Sequence, residues 1–180
     1  MVNTVIIPTA GTGSRMGNYT KNLNKALLPY KDKPVLAHII DNFPNDTRFI
    51  IPLGYLKEQI IDFCRVAYSD RHIEFVEVDD WSGPKSGTGY TLLQCKELIN
   101  SPFWYVPCDT YFDQPVVDSV RNKDCYFVKT VPEQDTHLYT MFDQNNSFYI
   151  QDIKFKETTP ATWRAFTGLM YINDYATFFT

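Results

Sequence analysis

Short β-branched, apolar runs alternate with stretches of helical periodicity through the first part of the chain. That alternation restricts the fold more than any other feature. Asn3-Thr4-Val5-Ile6-Ile7-Pro8 reads as a short buried strand closed by proline, and a loop rich in Gly, Thr and Asn carries on to about residue 24. Pro34 to Phe43 reads as a helix with Pro34 suited to its first turn. Thr47–Leu53 predicts a second strand. Residues 56–68 then place Leu56, Ile60, Ile61, Phe63, Cys64 and Ala67 on one helical face. A third strand at His72–Val78, a polar loop at 79–86, a helix over 88–99 and a fourth strand at Phe103–Val106 follow. Strand–helix repeated three times and closed by a further strand predicts a parallel α/β sheet.

After about residue 125 the pattern changes. Cys125–Val131, Leu138–Phe142, Phe148–Phe155 and Arg164–Ile172 are strand-like, and Gln144-Asn145-Asn146 predicts a hairpin turn. These strands are expected to extend the sheet or lie across it. No repeat, low-complexity tract or linker divides the chain, so the expectation is one domain over 1–180. With 180 residues, 44% apolar and 16% aromatic, it is neither disordered nor fibrous. No apolar run approaches the roughly 20 residues of a membrane helix. No basic segment precedes Val5-Ile6-Ile7, so a soluble cytoplasmic domain is expected. Cys64, Cys95, Cys108 and Cys125 form no CxxC pair, and His38, His72 and His137 are equally dispersed. That spacing argues against a disulfide framework, structural zinc and a Cys/His nucleophile.

Charge is unevenly placed. Residues 1–35 carry Arg15, Lys21, Lys25, Lys31 and Lys33 against Asp32 alone, in a chain of net charge −4. The acidic total argues against nucleic acid as a partner, and nothing points to a membrane. The basic segment suits a small polyanionic ligand, because steering needs only local charge. A chance cluster on a solvated face is the alternative.

Pro8-Thr9-Ala10-Gly11-Thr12-Gly13-Ser14-Arg15-Met16-Gly17 follows the first strand directly. Glycines there permit tight turns whose amides wrap phosphate oxygens, and Arg15 can clamp them. No Gly-Lys-Ser/Thr follows, and Met16 stands where a dinucleotide fingerprint has its third glycine, so neither of those motifs applies. Lys25, in Asn24-Lys25-Ala26-Leu27-Leu28-Pro29, lies where the loop folds back toward the phosphates. An ammonium there stabilises the charge of phosphoryl transfer. Asp109, after Phe103-Trp104-Tyr105-Val106-Pro107-Cys108, lies at the strand edge where open α/β sheets bind ligands. Its hard carboxylate suits Mg²⁺ bridging phosphates. A cap on a following helix is the competing reading.

Together, Gly11-Thr-Gly-Ser-Arg-Met, Asn24-Lys25-Ala-Leu-Leu-Pro, Gly54-Tyr55, Ser86-Gly87-Thr88-Gly89 and Cys108-Asp109 resemble, in order, the sugar-phosphate nucleotidyltransferases. That family includes sugar-1-phosphate nucleotidyltransferases and phosphocholine cytidylyltransferases. The resemblance covers about residues 3–112. It implies a Rossmann-like three-layer α/β sandwich with a central, mainly parallel mixed sheet of the GT-A type. It also implies that Ala10, Gly11, Thr12, Gly13 and Arg15 hold the triphosphate. Lys25 matches the family's catalytic lysine, with Asn24 where proline is usual. Gly87, Thr88 and Gly89 match the nucleoside seat, and Asp109 the Mg²⁺ ligand. Gly54-Tyr55-Leu56-Lys57-Glu58-Gln59 and Ile150-Gln151-Asp152-Ile153 are similar to the choline-phosphate branch.

On the acceptor side the resemblance implies Thr167 and Gly168, with Lys154 and Lys156 both candidates for an acceptor lysine. The family's second metal ligand lies beyond the strand that Phe166–Tyr171 resembles. The chain ends at Thr180, so a truncated domain or one module of a longer protein is expected. The implied reaction joins an NTP to a small phosphorylated acceptor, with Mg²⁺ and release of pyrophosphate, in nucleotide-sugar and polysaccharide biosynthesis. Two alternatives stand beside it. One is a non-catalytic, nucleotide-binding regulatory domain of the same fold. The other is a GT-A glycosyltransferase, although Cys108-Asp109-Thr110-Tyr111 offers one Asp where a DxD motif needs two.

Overall fold

The apolar runs become the buried strands of the computed structural model, which describes residues 4–83, 86–113, 115–120 and 123–180. Asn3 of the expected first strand, and Pro84 and Lys85 of the polar loop, lie outside these residues. β1 (Thr4–Ile6) is wholly buried. Its pairing runs on through the Ile7 amide to the Ile50 carbonyl and the Thr9 amide to the Pro52 carbonyl, both at 3.0 Å. A short hairpin of β2 (Pro29–Tyr30) and β3 (Lys33–Pro34) precedes α1 (Val35–Asp41). Leu36, Ala37, Ile39 and Ile40 form the buried stripe of α1 at the spacing an amphipathic helix requires. Next come β4 (Arg48–Leu53), α2 (Lys57–Ala67), β5 (His72–Glu77), α3 (Thr88–Gln94) and β6 (Phe103–Tyr105). The chain then forms α4 (Pro115–Asp118), β7 (Cys125–Lys129), β8 (Thr140–Gln144), β9 (Ile150–Phe155), β10 (Arg164–Ile172) and α5 (Tyr175–Phe178).

These elements fall into two units, residues 1–125 with 171–180 and residues 126–170. In the first, β5, β4, β1 and β6 lie side by side in that order and all run parallel. Val5 sits between Phe49 and Trp104 in register. Phe43 meets Phe49, Trp104 and Phe112 edge-on, with centroids 5.9–6.1 Å apart. The strand order matters most for function. From β1 the chain steps to β4 and β5 on one side, then returns to place β6 on the other. Such a reversal opens a crevice beyond the carboxyl ends of the two strands that flank it, here β1 and β6.

In the second unit β8 pairs antiparallel with β9 and with β10, and β7 pairs with β10. Successive side chains point to opposite faces. Met141 and Ala165 bury one face with Val131, packed by Tyr139 and Trp163. Phe142 and Phe166 stack on the other at 5.3 Å, with Tyr126 beside them.

Several boundaries differ from the sequence expectation. Pro34 sits just before α1 in extended backbone (φ −58°, ψ 150°), capping it rather than opening its first turn. The helix expected over 88–99 ends at Gln94, and a single tighter turn, Lys96–Leu98, completes it. The strand expected from Leu138 begins at Thr140, because Glu133–Leu138 coil into a helical turn. Buried Thr136 holds that turn, donating to the Glu133 carbonyl at 2.8 Å and accepting from the Thr159 amide at 3.0 Å. The expected hairpin turn is present: Asn145 pairs with Tyr149 through the backbone, and its side chain accepts from the Ser147 and Tyr149 amides.

Candidate active site

A cleft of about 570 Å³ opens beyond the carboxyl ends of β1, β5 and β6. Pro8 and residues 10–16 form one wall, residues 81–83 with Ser86, Gly87, Thr88 and Thr91 another, and Tyr105, Pro107, Cys108 and Asp109 the floor; Lys25 reaches in beside them. Four motifs far apart in sequence therefore share one cavity.

The phosphate-type loop is built around Gly13. Its φ of +65° is one that a side chain strains to adopt, and a Cβ there would meet Thr20 at 3.0 Å and Lys25 at 3.2 Å. Buried Thr20 locks the loop from beneath by donating to the Gly13 carbonyl at 3.1 Å. Arg15 lies exposed along the lining and, among the described residues, makes no ion pair or hydrogen bond.

Lys25 and Asp109 form an ion pair across the cleft. The carboxylate is half exposed and the lysine largely covered, so the ammonium is held and the acid faces the cleft. The helix after Asp109 begins only at Pro115, so Asp109 is not its cap, and the competing reading from the sequence lapses. Among the described residues no three His, Cys, Asp or Glu side chains gather as a metal cage. Mg²⁺ typically takes one or two carboxylates and fills its shell with water and substrate phosphates. A single open carboxylate beside an amide-lined loop fits an ion that arrives with a nucleotide.

Two further groups on the floor were not singled out from the sequence. Tyr105 is buried, and burial pushes its phenol up to about 12, outweighing the lowering influence of the nearby Thr88. Burial, followed by the neighbouring Asp109 carboxylate, likewise pushes the Cys108 thiol up to about 12. Cys108 is thus a thiol at neutral pH and no nucleophile. Trp81 is the third residue missed. It packs against Tyr55 with centroids 5.8 Å apart, and a Cβ on Gly54 would run into its ring at 2.7 Å and into the Ala10 carbonyl at 2.6 Å. The glycine at 54 was visible in the sequence; its reason, three segments pressed together, was not.

Gly89 stands one residue inside α3 and does not line the cleft. The acceptor-side candidates belong to the second unit. There Lys154 lies 3.9 Å from Asp152, Thr167 donates to the Phe127 carbonyl at 2.8 Å, Gly168 has φ +89°, and Lys156 donates its amide to the Tyr139 carbonyl.

A glycine-bearing loop, a held lysine and a half-exposed carboxylate thus meet at the switch point of a parallel α/β sheet. Residues 5–140 match the MobA-like NTP transferase domain, and the chain belongs to that family. It is 28% identical over 150 residues to the bifunctional protein GlmU of Methanocaldococcus jannaschii, covering 82% of this chain and 35% of that protein. To the choline-phosphate cytidylyltransferase of Streptococcus pneumoniae it is 29% identical over 153 residues, covering 82% of this chain and 62% of the other. This chain thus spans about a third of the length of that GlmU relative. A UDP-glucose pyrophosphorylase solved with UDP-glucose shares the fold, with a TM-score of 0.75 at 18% identity over 96% of this chain and 76% of its own. The Rossmann-like α/β fold expected from the sequence is the fold observed. Among the described residues no helix is long and apolar enough to cross a membrane.

Proposed function

We propose that residues 1–180 act as one Mg²⁺-dependent nucleotidyltransferase domain. It transfers NMP from an NTP to the phosphate of a small molecule, a sugar 1-phosphate or phosphocholine, and releases pyrophosphate. One observation carries this reading: the loop after β1, the start of α3, Lys25 and Asp109 line a single cleft at the switch point. An acceptor phosphate oxygen attacks the α-phosphorus in line. The new O–P bond forms as the bond from the α-phosphorus to the pyrophosphate oxygen breaks, so no covalent enzyme intermediate is needed. The protein's part is positioning and charge neutralisation. Amides of residues 10–13 and the Arg15 guanidinium hold the β- and γ-phosphates and then the leaving pyrophosphate. Lys25 neutralises the transferring or acceptor phosphate, and Gly87 and Thr88 seat the nucleoside, with Gly89 behind them in the first turn of α3. Asp109 would hold Mg²⁺, whose charge would offset that of the nucleotide phosphates. Lys154, Lys156, Thr167 and Gly168 remain the acceptor-side candidates within the second unit. Free Cys64, Cys95, Cys108 and Cys125 suit a reducing, cytoplasmic setting.

Each NTP paired with glucose 1-phosphate, N-acetylglucosamine 1-phosphate and phosphocholine, read by pyrophosphate release with and without Mg²⁺, tests the reading. Turnover of one NTP–acceptor pair, lost with EDTA, is the expected result. Nucleotide binding with no pyrophosphate from any pair would favour the regulatory alternative.

A further inference from the structure

Asn24 is completely buried, yet it carries a primary amide, and every part of that amide is used. Its Nδ2 donates to the Thr9 carbonyl at 3.0 Å and to the Tyr55 carbonyl at 2.7 Å. Its Oδ1 accepts from the Ala26 amide at 3.0 Å. Its own backbone N–H donates to Gln59 Oε1 at 2.9 Å, and Gln59 Nε2 reaches on to the Asn22 carbonyl at 2.9 Å. Tyr55 completes the frame, its hydroxyl donating to the Lys21 carbonyl at 2.6 Å and its amide to the Ala10 carbonyl at 2.9 Å. One side chain therefore ties together the root of the phosphate loop, the segment after β4 and the turn that opens with Lys25.

The backbone alone does not require this residue. Asn24 sits at φ −60° and ψ 137°, angles that proline also adopts, so the amide rather than the main-chain shape distinguishes asparagine here. Losing it would strand buried carbonyls without donors, and the loop would shift to resolvate them. Lys25, the next residue, would shift with it.

We propose that Asn24 is the positioning residue for Lys25: its buried amide, braced by Tyr55 and Gln59, fixes the lysine opposite Asp109 within the cleft. The inference rests on the catalytic reading of Lys25 only for its effect on turnover. The structural part, that the amide holds the lysine in place, stands on geometry alone.

The test pairs two measurements on Asn24→Ala. Misplacing a reacting group by about an ångström lowers turnover by about a hundredfold. Turnover per folded enzyme should therefore fall by about ten- to a hundredfold, with KM for the NTP little changed. In a Lys25→Ala background the same substitution should add nothing, because it acts through the missing lysine. Additive losses would overturn the proposal. Independently of activity, acetylation footprinting by mass spectrometry should label Lys25 several-fold faster in Asn24→Ala, with surface lysines such as Lys96 unchanged. Equal labelling would overturn it. Asn24→Pro keeps the backbone angle but removes both the side-chain amide and the backbone N–H that meets Gln59, so it should lose at least as much as Asn24→Ala; wild-type turnover and labelling there would overturn the proposal. If Asn24→Ala fails to fold, Gln59→Ala gives the same pair of readings at smaller size. Wild-type turnover in Lys25→Ala would sink the catalytic reading, while the footprint still judges the Asn24 contact.

Discussion

The two units of this chain solve the burial problem differently. In the first, β1 and β6 are entirely buried and β4 nearly so, as parallel strands covered on both faces must be. In the second, the antiparallel β7 and β9 leave much of their length exposed, and Phe148, Tyr149 and Phe155 remain largely open to solvent. In the first unit's sheet only the outer strand β5 is half exposed; the buried central strands have no free side chains to offer a ligand, so chemistry moves to their loops, and the strand order decides which loops meet. That is why Gly13, Lys25, Thr88 and Asp109 share one cleft although no two of them share an element. The second unit instead keeps exposed aromatic side chains along its strands.

The sharpest way to break this contrast is to remove charge from the first unit's cleft. Losing a preorganised charge contact at such a site raises the barrier by about 3–4 kcal/mol. Lys25→Ala should therefore lower turnover by about two to three powers of ten. Asp109→Asn, which keeps shape and deletes one charge, should abolish most Mg²⁺-dependent turnover. Both belong to a partly exposed ion pair, so thermal unfolding should move by no more than a few degrees. Turnover and melting temperature measured on the same preparations decide it. A large melting shift with turnover intact would make the pair structural.

A milder perturbation addresses the second unit. Lys154 is partly exposed and Lys156 exposed, and neither is needed for the buried face of Val131, Met141 and Ala165. If one of them meets the acceptor phosphate, its change to alanine removes a charge-assisted hydrogen bond of about 1.5–3 kcal/mol. The acceptor KM should rise about tenfold or more, with KM for the NTP unchanged. Steady-state kinetics with each substrate varied in turn separate the two. No change in either variant would move the acceptor contacts out of this pair of lysines.

The same division explains how much was legible beforehand. Continuous apolar runs such as Phe49-Ile50-Ile51 announce buried parallel strands, and the loops that follow them carry residue types with a narrow chemical use. The first unit's strands and four cleft motifs were accordingly readable. Position inside a loop was not. Gly89 was grouped with Gly87 and Thr88 but turns away into α3, whereas Trp81 and Tyr105 looked like ordinary apolar residues until folding brought them to the cleft. Asn24 looked like a departure from a proline, and only the carbonyls of Thr9 and Tyr55, remote in sequence, reveal its use. In the second unit short half-exposed strands carry a weak signal. Where a strand was expected from Leu138, Glu133–Leu138 form a helical turn in which the buried Thr136 hydroxyl bonds the Glu133 carbonyl.

The smallest effect separates the two edges of the first unit's sheet. Arg48 and Glu74 lie near the amino ends of β4 and β5, away from the cleft, with Nε to Oε1 at 2.5 Å and Nη2 to Oε2 at 3.0 Å. The Arg48 guanidinium, with a smaller contribution from His72, holds the Glu74 carboxyl below its usual value of 4.5. A carboxylate whose folded pKa is depressed stabilises the fold fully above its unfolded pKa and loses that contribution as pH falls through the folded value. The pair is partly solvated, so its contribution is about 1 kcal/mol or less. Glu74→Gln should therefore melt slightly below the parent at pH 7, and the two curves should converge as the pH is lowered beneath 4.5. Turnover at pH 7 should be unchanged, because the substitution sits near the amino ends of the strands, away from the cleft. A difference in melting that persists undiminished into acid would show that packing at position 74, not the ion pair, is what Glu74 supplies.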